Sequence, residues 1–569
     1  MTHSLRTRVM LSSVAALALI GGMAACGGND NGAAPKAPPK ASENQVNAQA
    51  RDKVQDGGKL TWPLSGFPAN FNYYQLDGTD RDNADVMQSM MPQVYYTDAG
   101  GKPYHNKELL ASEPTLKTDP KQVVTYKLNP KATWSDGTPI TWEDFLWQWK
   151  STSGTDKAYN ISSSNGYEQI ESVEKGADDR EAVVTYKKKY SDWTAVFNPF
   201  FPSALNKDPK VFNEGWKAQP LTSGGPFKLQ GVDSTAKTIT LVRNDKYWGT
   251  QAKLDSIVFR AIAPNAQIDA LANGEVDFID IGPDVNKWKR AKDVTSTDIR
   301  VAGGPNFRHA TFNATSPVLQ DVNVRKAIAM GINRVAIGKA LLGPMGIDPK
   351  PLNNHIFMTN QDGYQDNSGE AGKYDPEKAK KLLDDAGWKV DGAGRKKDGK
   401  ALEINFVIPT GVATSKQEAE LIQNMLAQVG VTVKINTVPV DDLFDKYVTP
   451  GQFDITVFSW IGTPYPISSS LSIYKNPTKD ASGQLVIEQN YARVGSSEID
   501  SLFEQANSEL DRTKAIALAN QIDAKIWEEV HSLTNYQRPD QWACKKGLAN
   551  FGAFGFASTI YEDIGWAKA

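Results

Sequence analysis

From Gly58 onward, β-branched, strand-like runs alternate with helix-patterned segments for roughly 510 residues, and Cys544 is the only cysteine in all of that length. A chain of this size without an internal cross-link must draw its stability from packed cores, and by length alone it divides into more than one domain. Strand patterns fall at 59–64, 123–128, 181–186, 239–243, 256–261, 402–408 and 431–438. Helix patterns fall at 142–150, 265–272, 322–331, 375–386 and 416–429. Several helix ends carry their own signals: Asp375-Pro376-Glu377 supplies a cap and a first-turn proline, and Gly387 follows the apolar positions Ala379, Leu382, Leu383 and Ala386 as a terminator. Strands and helices mixed along the whole chain predict an α/β protein of two lobes. No fixed-period repeat is present.

The first 25 residues read as a secretory signal peptide. Arg6 and Arg8 precede an apolar run from Val9 to about Ile20, too short to span a membrane, which ends at Met23-Ala24-Ala25-Cys26. That ending resembles a bacterial lipobox, which implies lipidation of Cys26 and permanent attachment through two or more acyl chains. With Cys26 lipidated, Cys544 has no partner and reads as a small buried hydrophobe. Residues 26–57 are rich in Ala, Pro, Lys, Asn and Gly and poor in large apolar side chains, the composition of a flexible stalk. With 63 basic against 66 acidic residues and a net charge of -3, nothing recruits nucleic acid electrostatically.

Five separated motifs occur in order between Tyr126 and Trp388. They are Trp134-Ser135-Asp136-Gly137-Thr138-Pro139-Ile140-Thr141, and Gly225-Pro226-Phe227 followed by Asn244-Asp245-Lys246-Tyr247-Trp248. Next come Ala270-Leu271-Ala272-Asn273-Gly274-Glu275-Val276-Asp277 and Asp321-Val322-Asn323-Val324-Arg325-Lys326-Ala327-Ile328. The last is Tyr374-Asp375-Pro376 through Ala386-Gly387-Trp388. Together they resemble the family 5 solute-binding proteins, the peptide/nickel-type capture components of ABC importers. The resemblance implies a periplasmic-binding-protein type II-like α/β fold, cluster C-like, with two lobes joined by a hinge and an extra inserted domain. It places lobe I at 58–87, 220–306 and 530–569, the inserted domain at 88–219 and lobe II at 307–529. Trp134, Asp136 and Gly137 read as a turn with an aromatic anchor.

The resemblance also implies a ligand cleft between the lobes. Peptide-binding members carry a carboxylate in the loop after a Gly/Ser-Trp element, where it pairs with the peptide amine. Here that loop is Ser459-Trp460-Ile461-Gly462-Thr463-Pro464-Tyr465, and Thr463 stands where the carboxylate is expected. An unpaired ammonium in a closed cleft costs several kcal/mol, so another group must compensate or the ligand differs. The acidic loop 77–85 is one candidate for that compensation, although a solvated loop is the simpler reading. The expected ligand-binding residues are Phe67, Asn70, Phe71, Tyr73, Trp460, Gly462, Thr463 and Tyr465, chosen because aromatic faces bury area at little entropic cost.

The expected partners are a peptide or other small-molecule ligand, ABC permease and ATPase subunits, and the outer face of the cytoplasmic membrane through the N-terminal lipid. The protein is expected to be a monomer, without a cofactor, a resident metal or catalytic residues. His105, His309, His355 and His531 show no metal-ligand spacing, and no nucleophile elbow, Walker loop or dinucleotide fingerprint occurs. An alternative on the same fold is a glycolipid- or oligosaccharide-binding lipoprotein outside transport, of the phosphatidylinositol-mannoside-binding type. A nickel ligand would call on His309.

Overall fold

Leu60, Trp62 and Leu64 alternate with exposed or half-exposed neighbours along the strand Lys59–Leu64, and this period-2 pattern gives one sheet its buried face. The computed structural model describes residues 44–568. In it, Lys59–Leu64 pairs in parallel with Ser256–Ala261, which continues antiparallel to Thr238–Arg243 and Phe227–Asp233. The Trp62 ring anchors the core beneath this sheet, with Phe259, Phe278, Phe551 and Tyr561 at centroid distances of 5.5, 4.9, 5.0 and 6.0 Å.

A second, antiparallel sheet runs in the order Thr115–Lys117, Val123–Lys127, Glu181–Tyr186, Ile170–Lys175. Against it packs the helix Trp142–Thr152, started by a capping box in which Thr141 and Asp144 satisfy each other's backbone amides. Phe145 on that helix meets Tyr126, Phe197 and Phe200 at 5.0, 4.9 and 4.5 Å. The preceding motif is a turn: Gly137, at φ +90°, donates to the Trp134 carbonyl, and Asp136 Oδ1 accepts from the Thr138 amide and hydroxyl.

The third sheet is mixed, in the order Phe278–Asp280, Ser532–Lys545, Thr297–Phe312, Ile455–Ile461, Glu403–Pro409, Thr432–Val438. Its last three strands are parallel, and the helix Ala413–Ala427 makes the crossover between Glu403–Pro409 and Thr432–Val438. The two longest strands, Thr297–Phe312 and Ser532–Lys545, pair from Thr297↔Lys545 to Gly303↔Pro539, break, and resume at Phe307↔Gln537. At the break, Gly304 lies so close to the opposite strand that a Cβ would sit 2.7 Å from the Arg538 carbonyl oxygen, so only glycine fits.

Two expectations are corrected or located here. Residues 44–57 do not form a free stalk. The Gln45, Val46 and Asn47 carbonyls accept from the Ala553, Phe551 and Asn550 amides, Arg51 pairs with Asp563 at 2.8 Å, and Val54 is fully buried opposite Ala567. Backbone pairing with the C-terminal segment replaces the apolar burial that this stretch lacks in composition. The signal peptide, Cys26 and the part of the expected stalk before residue 44 lie outside the described residues. Cys544, on the strand Ser532–Lys545, is a buried free thiol that burial pushes up to about 12.

One buried ion pair ties three elements together beside the strand break. Arg308 Nε lies 3.1 Å from both carboxylate oxygens of Glu418, its Nη2 bonds both Glu418 and Ser415 Oγ, and Tyr536 donates to Glu418 Oε1 at 3.0 Å. Glu418 has no exposed surface. Removing one partner leaves the other charge buried and unpaired, so Glu418→Ala is expected to destabilise by about 3–5 kcal/mol in urea unfolding. A loss under about 1 kcal/mol would show that solvent reaches the Arg308 guanidinium and that the pair does not hold these strands to the helix.

Candidate functional site

Ile455–Ile461, an inner strand of the third sheet, carries Trp460 near its C-terminal end, opposite Phe307 in the register. Its ring stacks between His309 (5.9 Å, 11°) and Tyr491 (5.9 Å, 1°), which fixes its plane and leaves it half-buried. Beyond it, Gly462 N donates to the Pro305 carbonyl at 2.8 Å, and a Cβ there would lie 2.6 Å from the same oxygen. The loop is thereby fastened to the strand break. Thr463 turns the chain: its hydroxyl accepts from Tyr465 N at 3.1 Å and bonds Ser469 Oγ at 3.0 Å, while its carbonyl accepts from Gln361 at 2.9 Å. Both polar groups of Thr463 are thus used inside the protein. Tyr465 precedes the helix Pro466–Tyr474 and is half-buried, and burial holds its phenol well above the ordinary range.

The segment after the first strand divides. Phe67 is half-buried with Lys237 Nζ 4.9 Å from its ring centroid, and Tyr73 is half-buried with its phenol raised by burial and by Asp80 and Asp85. Asn70 and Phe71 are corrections to the expected set. Asn70 has no exposed surface, donates to the Asn213 carbonyl and accepts from Asn72 N, and Phe71 is fully enclosed in the aromatic core. Their polarity and area serve folding, because the loop after Lys59–Leu64 turns inward there instead of toward the cleft.

The acidic loop is only partly a solvated one. Asp80 caps the helix Arg81–Met90 through Asn83 N, and Asp82 accepts from Ser65 N and Gly66 N, clamping the end of the first strand. Asp85, one turn further on, keeps some exposed surface but is surrounded by protein near Trp62 and Arg81. Burial pushes its carboxyl up to about 7 against the opposing pull of Arg81. Across from it, Asp540 accepts from Trp542 Nε1 at 2.7 Å and Gly555 N at 3.1 Å, yet burial still raises it to about 6. The Arg81 guanidinium sits 5.6 Å over the Trp542 ring, and Asp85, Asp280 and Asp540 raise it further. Sequence reading missed Asp280 and Asp540, which come from the short strand Phe278–Asp280 and the long strand beside it; only their pairing brings them to Arg81.

Carboxyls raised in the folded state hold protons that the unfolded chain has released, so stability falls as pH rises from about 4 toward 7 and the penalty stays above that. Asp85→Asn removes the penalty. It is expected to stabilise at pH 8 by on the order of 1–3 kcal/mol while changing little at pH 4, read by thermal melts at the two pH values. An equal change at both would locate its effect in packing instead of charge.

Among the described residues, no group of three or more His, Cys, Asp or Glu side chains is placed to hold a metal ion. His309 is corrected as a nickel candidate: Nε2 bonds Thr311 Oγ1 at 2.9 Å, its ring is fully buried beside Phe458 and Trp460, and burial drives its pKa well below the usual value. His355 pairs with Asp523 at 2.8 Å, but its Nε2 meets the Ser532 carbonyl and both side chains are sealed from solvent.

Known proteins match this architecture and sequence. The model of the bacterial extracellular solute-binding proteins, family 5, matches residues 107–482. The oligopeptide-binding protein OppA of Mycobacterium tuberculosis is 40% identical over 529 residues, 92% of this chain and 87% of that protein. LpqW of the same species, named a probable monoacyl phosphatidylinositol tetramannoside-binding protein, is 31% identical over 271 residues, 45% of this chain and 41% of that protein. Among solved structures, the periplasmic EDTA-binding protein EppA superposes with a TM-score of 0.81 at 24% identity, over 93% of this chain and 99% of its own. The periplasmic-binding-protein-like α/β fold is the one expected, and the chain belongs to the bacterial extracellular solute-binding proteins of family 5.

Proposed function

We propose that this protein is the substrate-binding lipoprotein of an ABC importer, that it captures oligopeptides between its two lobes outside the cytoplasmic membrane, and that it passes them to permease and ATPase subunits. The observation that carries the reading is the 40% identity to a protein named for oligopeptide binding, sustained along 92% of the chain. The geometry supports it. The first sheet draws on the segments assigned to lobe I, the second lies wholly inside the inserted segment 88–219, and the parallel strands of the third belong to lobe II. The strands Thr297–Phe312 and Ser532–Lys545 run between the lobes and break at Gly303–Gly304–Pro305, the natural place for a bend that opens and closes a cleft. Trp460, Gly462, Thr463 and Tyr465 lie on the loop fastened to that break, so lobe motion and the ligand loop are mechanically coupled. The glycolipid reading draws on LpqW, whose match spans less than half of this chain and is the weaker support. The buried His355–Asp523 pair lends no support to a catalytic reading, because the far ring nitrogen of His355 meets the Ser532 carbonyl.

Two measurements test this. A peptide ligand at a hundred times its dissociation constant stabilises by about 2.7 kcal/mol, so pooled di- to deca-peptides are expected to raise the melting temperature by a few degrees, with phosphatidylinositol-mannoside headgroups and nickel giving no shift. A shift with the headgroups alone would replace peptide by glycolipid. For the anchor, Cys26→Ala is expected to move the protein from the membrane fraction to the soluble extracytoplasmic fraction, because two or more acyl chains hold a protein firmly and their loss removes that hold entirely. Retention in the membrane fraction would exclude lipidation at Cys26 as the attachment.

A further inference from the structure

Along one edge, the long strand Thr297–Phe312 changes its neighbour at the break. From Asn306 to Phe312 that edge pairs with Ile455–Ile461, whereas from Thr297 to Gly303 no other described strand lies against it. The first described residues and the segment 548–555 cover this stretch instead. Val301 N donates to Gln45 Oε1 at 3.0 Å, and the Arg300 guanidinium reaches the Leu548 and Phe551 carbonyls. The Gln45, Val46 and Asn47 carbonyls accept from the Ala553, Phe551 and Asn550 amides at 3.1, 2.9 and 3.1 Å, which joins the two segments into one strip. The fit is close: a Cβ on Gly552 would collide with the Gln45 carbonyl oxygen and with Arg300 Cδ. The strip ends at the break itself. Gly555, at φ +59°, stands where a Cβ would meet the Gly303 carbonyl oxygen at 2.9 Å, Asn44 Oδ1 at 3.1 Å and Asn360 Nδ2 at 3.4 Å. Asn360, from the segment assigned to lobe II, donates to that Gly303 carbonyl at 3.1 Å and accepts from Gln537 at 2.7 Å.

Residues 44–47 add little to a core, since all four are half-exposed. Their polar groups go to backbone amides and carbonyls beside the break, where an uncovered strand edge would otherwise fray. We propose that residues 44–47 clamp the hinge: they hold the lobe I side of the Gly303–Phe307 break in place, so that bending is confined to the break. The proposal rests on the hinge reading above and names what restrains it. A ladder held on one side of an interruption bends at the interruption, and a ladder released there spreads the bend into its paired length. Three parts of the molecule meet at the Gly303 carbonyl, namely Asn360 from the second lobe, Gly555 from the C-terminal segment and Asn44. The chain leading toward Cys26 therefore joins the protein at its hinge, and the segment that ties the protein to its N-terminal attachment is also the one that sets how freely the lobes move.

The test is amide hydrogen exchange on the full mature chain without ligand, comparing the native protein with Gln45→Ala and with Gln45→Glu, which keeps an acceptor for Val301 N. In Gln45→Ala the Phe307 and Gln537 amides, across the break from the clamp, are expected to exchange about fivefold faster, the scale of one lost hydrogen bond, while Gln45→Glu exchanges as the native protein does. Should Gln45→Ala fail to fold, Asn44→Ala releases only the Phe554 carbonyl and is expected to speed the same amides about twofold. Faster exchange confined to Val301 and residues 550–553 would reduce the segment to a local edge cover and overturn the clamp. A Gln45→Glu protein that exchanges like Gln45→Ala would overturn it too, since the lost acceptor would not be the cause. Repeating the exchange with pooled di- to deca-peptides separates the clamp from peptide capture. Slower exchange at Phe307 and Gln537 with a pool supports the hinge and capture together, whereas no effect of any pool overturns capture and leaves the ligand-free comparison to decide the clamp.

Discussion

The hydrogen-bonded pair of strands Thr297–Phe312 and Ser532–Lys545 is the constraint on which the rest of the molecule depends. It carries Phe278–Asp280 on one side and Ile455–Ile461 on the other, so the lobes share one continuous ladder instead of touching across a loose linker. A ladder is stiff along its paired length and yields only where pairing fails, here between Gly303 and Phe307. The loop after Ile455–Ile461 is held at that interruption, with Gly462 donating to the Pro305 carbonyl and Arg538 donating to Ser459 Oγ at 3.2 Å. The Arg308–Glu418–Tyr536 cluster lies one step further along and locks the second lobe to the ladder, which confines bending to a short segment. Placing rigidity immediately beside the weak point is what turns a break in a sheet into a hinge.

Much of the fold was legible because local signals and burial agree. The strands at 59–64, 181–186 and 256–261 and the helix at 322–331 have the bounds read from their patterns, and Asp375 and Gly387 do what their positions announce. The two longest strands were not legible, and the reason is physical. Thr297–Phe312 contains Gly303-Gly304-Pro305 and buries Arg300, Arg308 and His309, and Ser532–Lys545 contains Pro539 with charged residues on either side. A strand that crosses from one core to another changes which face is covered, so no single period-2 pattern survives along it. Its polar residues are satisfied by partners far away in sequence, as Arg300 is by the Leu548 and Phe551 carbonyls.

The candidate site was legible in halves for a related reason. The loop after Trp460 was picked out by its resemblance to the Gly/Ser-Trp element of the peptide-binding members, and it is fastened to the strand break through Gly462 and Pro305. Asn70 and Phe71 carried the same chemistry in the same kind of loop, but an Asx turn and a core aromatic are indistinguishable in sequence from a ligand contact. Asp280 and Asp540 gave no signal at all, since a single acid in a mixed sequence is most often a solvated one. Asp540 is distinguished by its enclosure, and Asp280, which stays exposed, only by the strand pairing that brings it near Arg81.

Those enclosed acids also bear on why the protein tolerates them. Asp85 and Asp540 each have a carboxyl raised by burial, and both flank Arg81 within the segments assigned to the first lobe. A buried, imperfectly paired carboxylate destabilises the arrangement that buries it. Here the cost falls on the lobe's own stability, and the Arg81 guanidinium between the carboxyls, itself held over the Trp542 ring, offsets part of it.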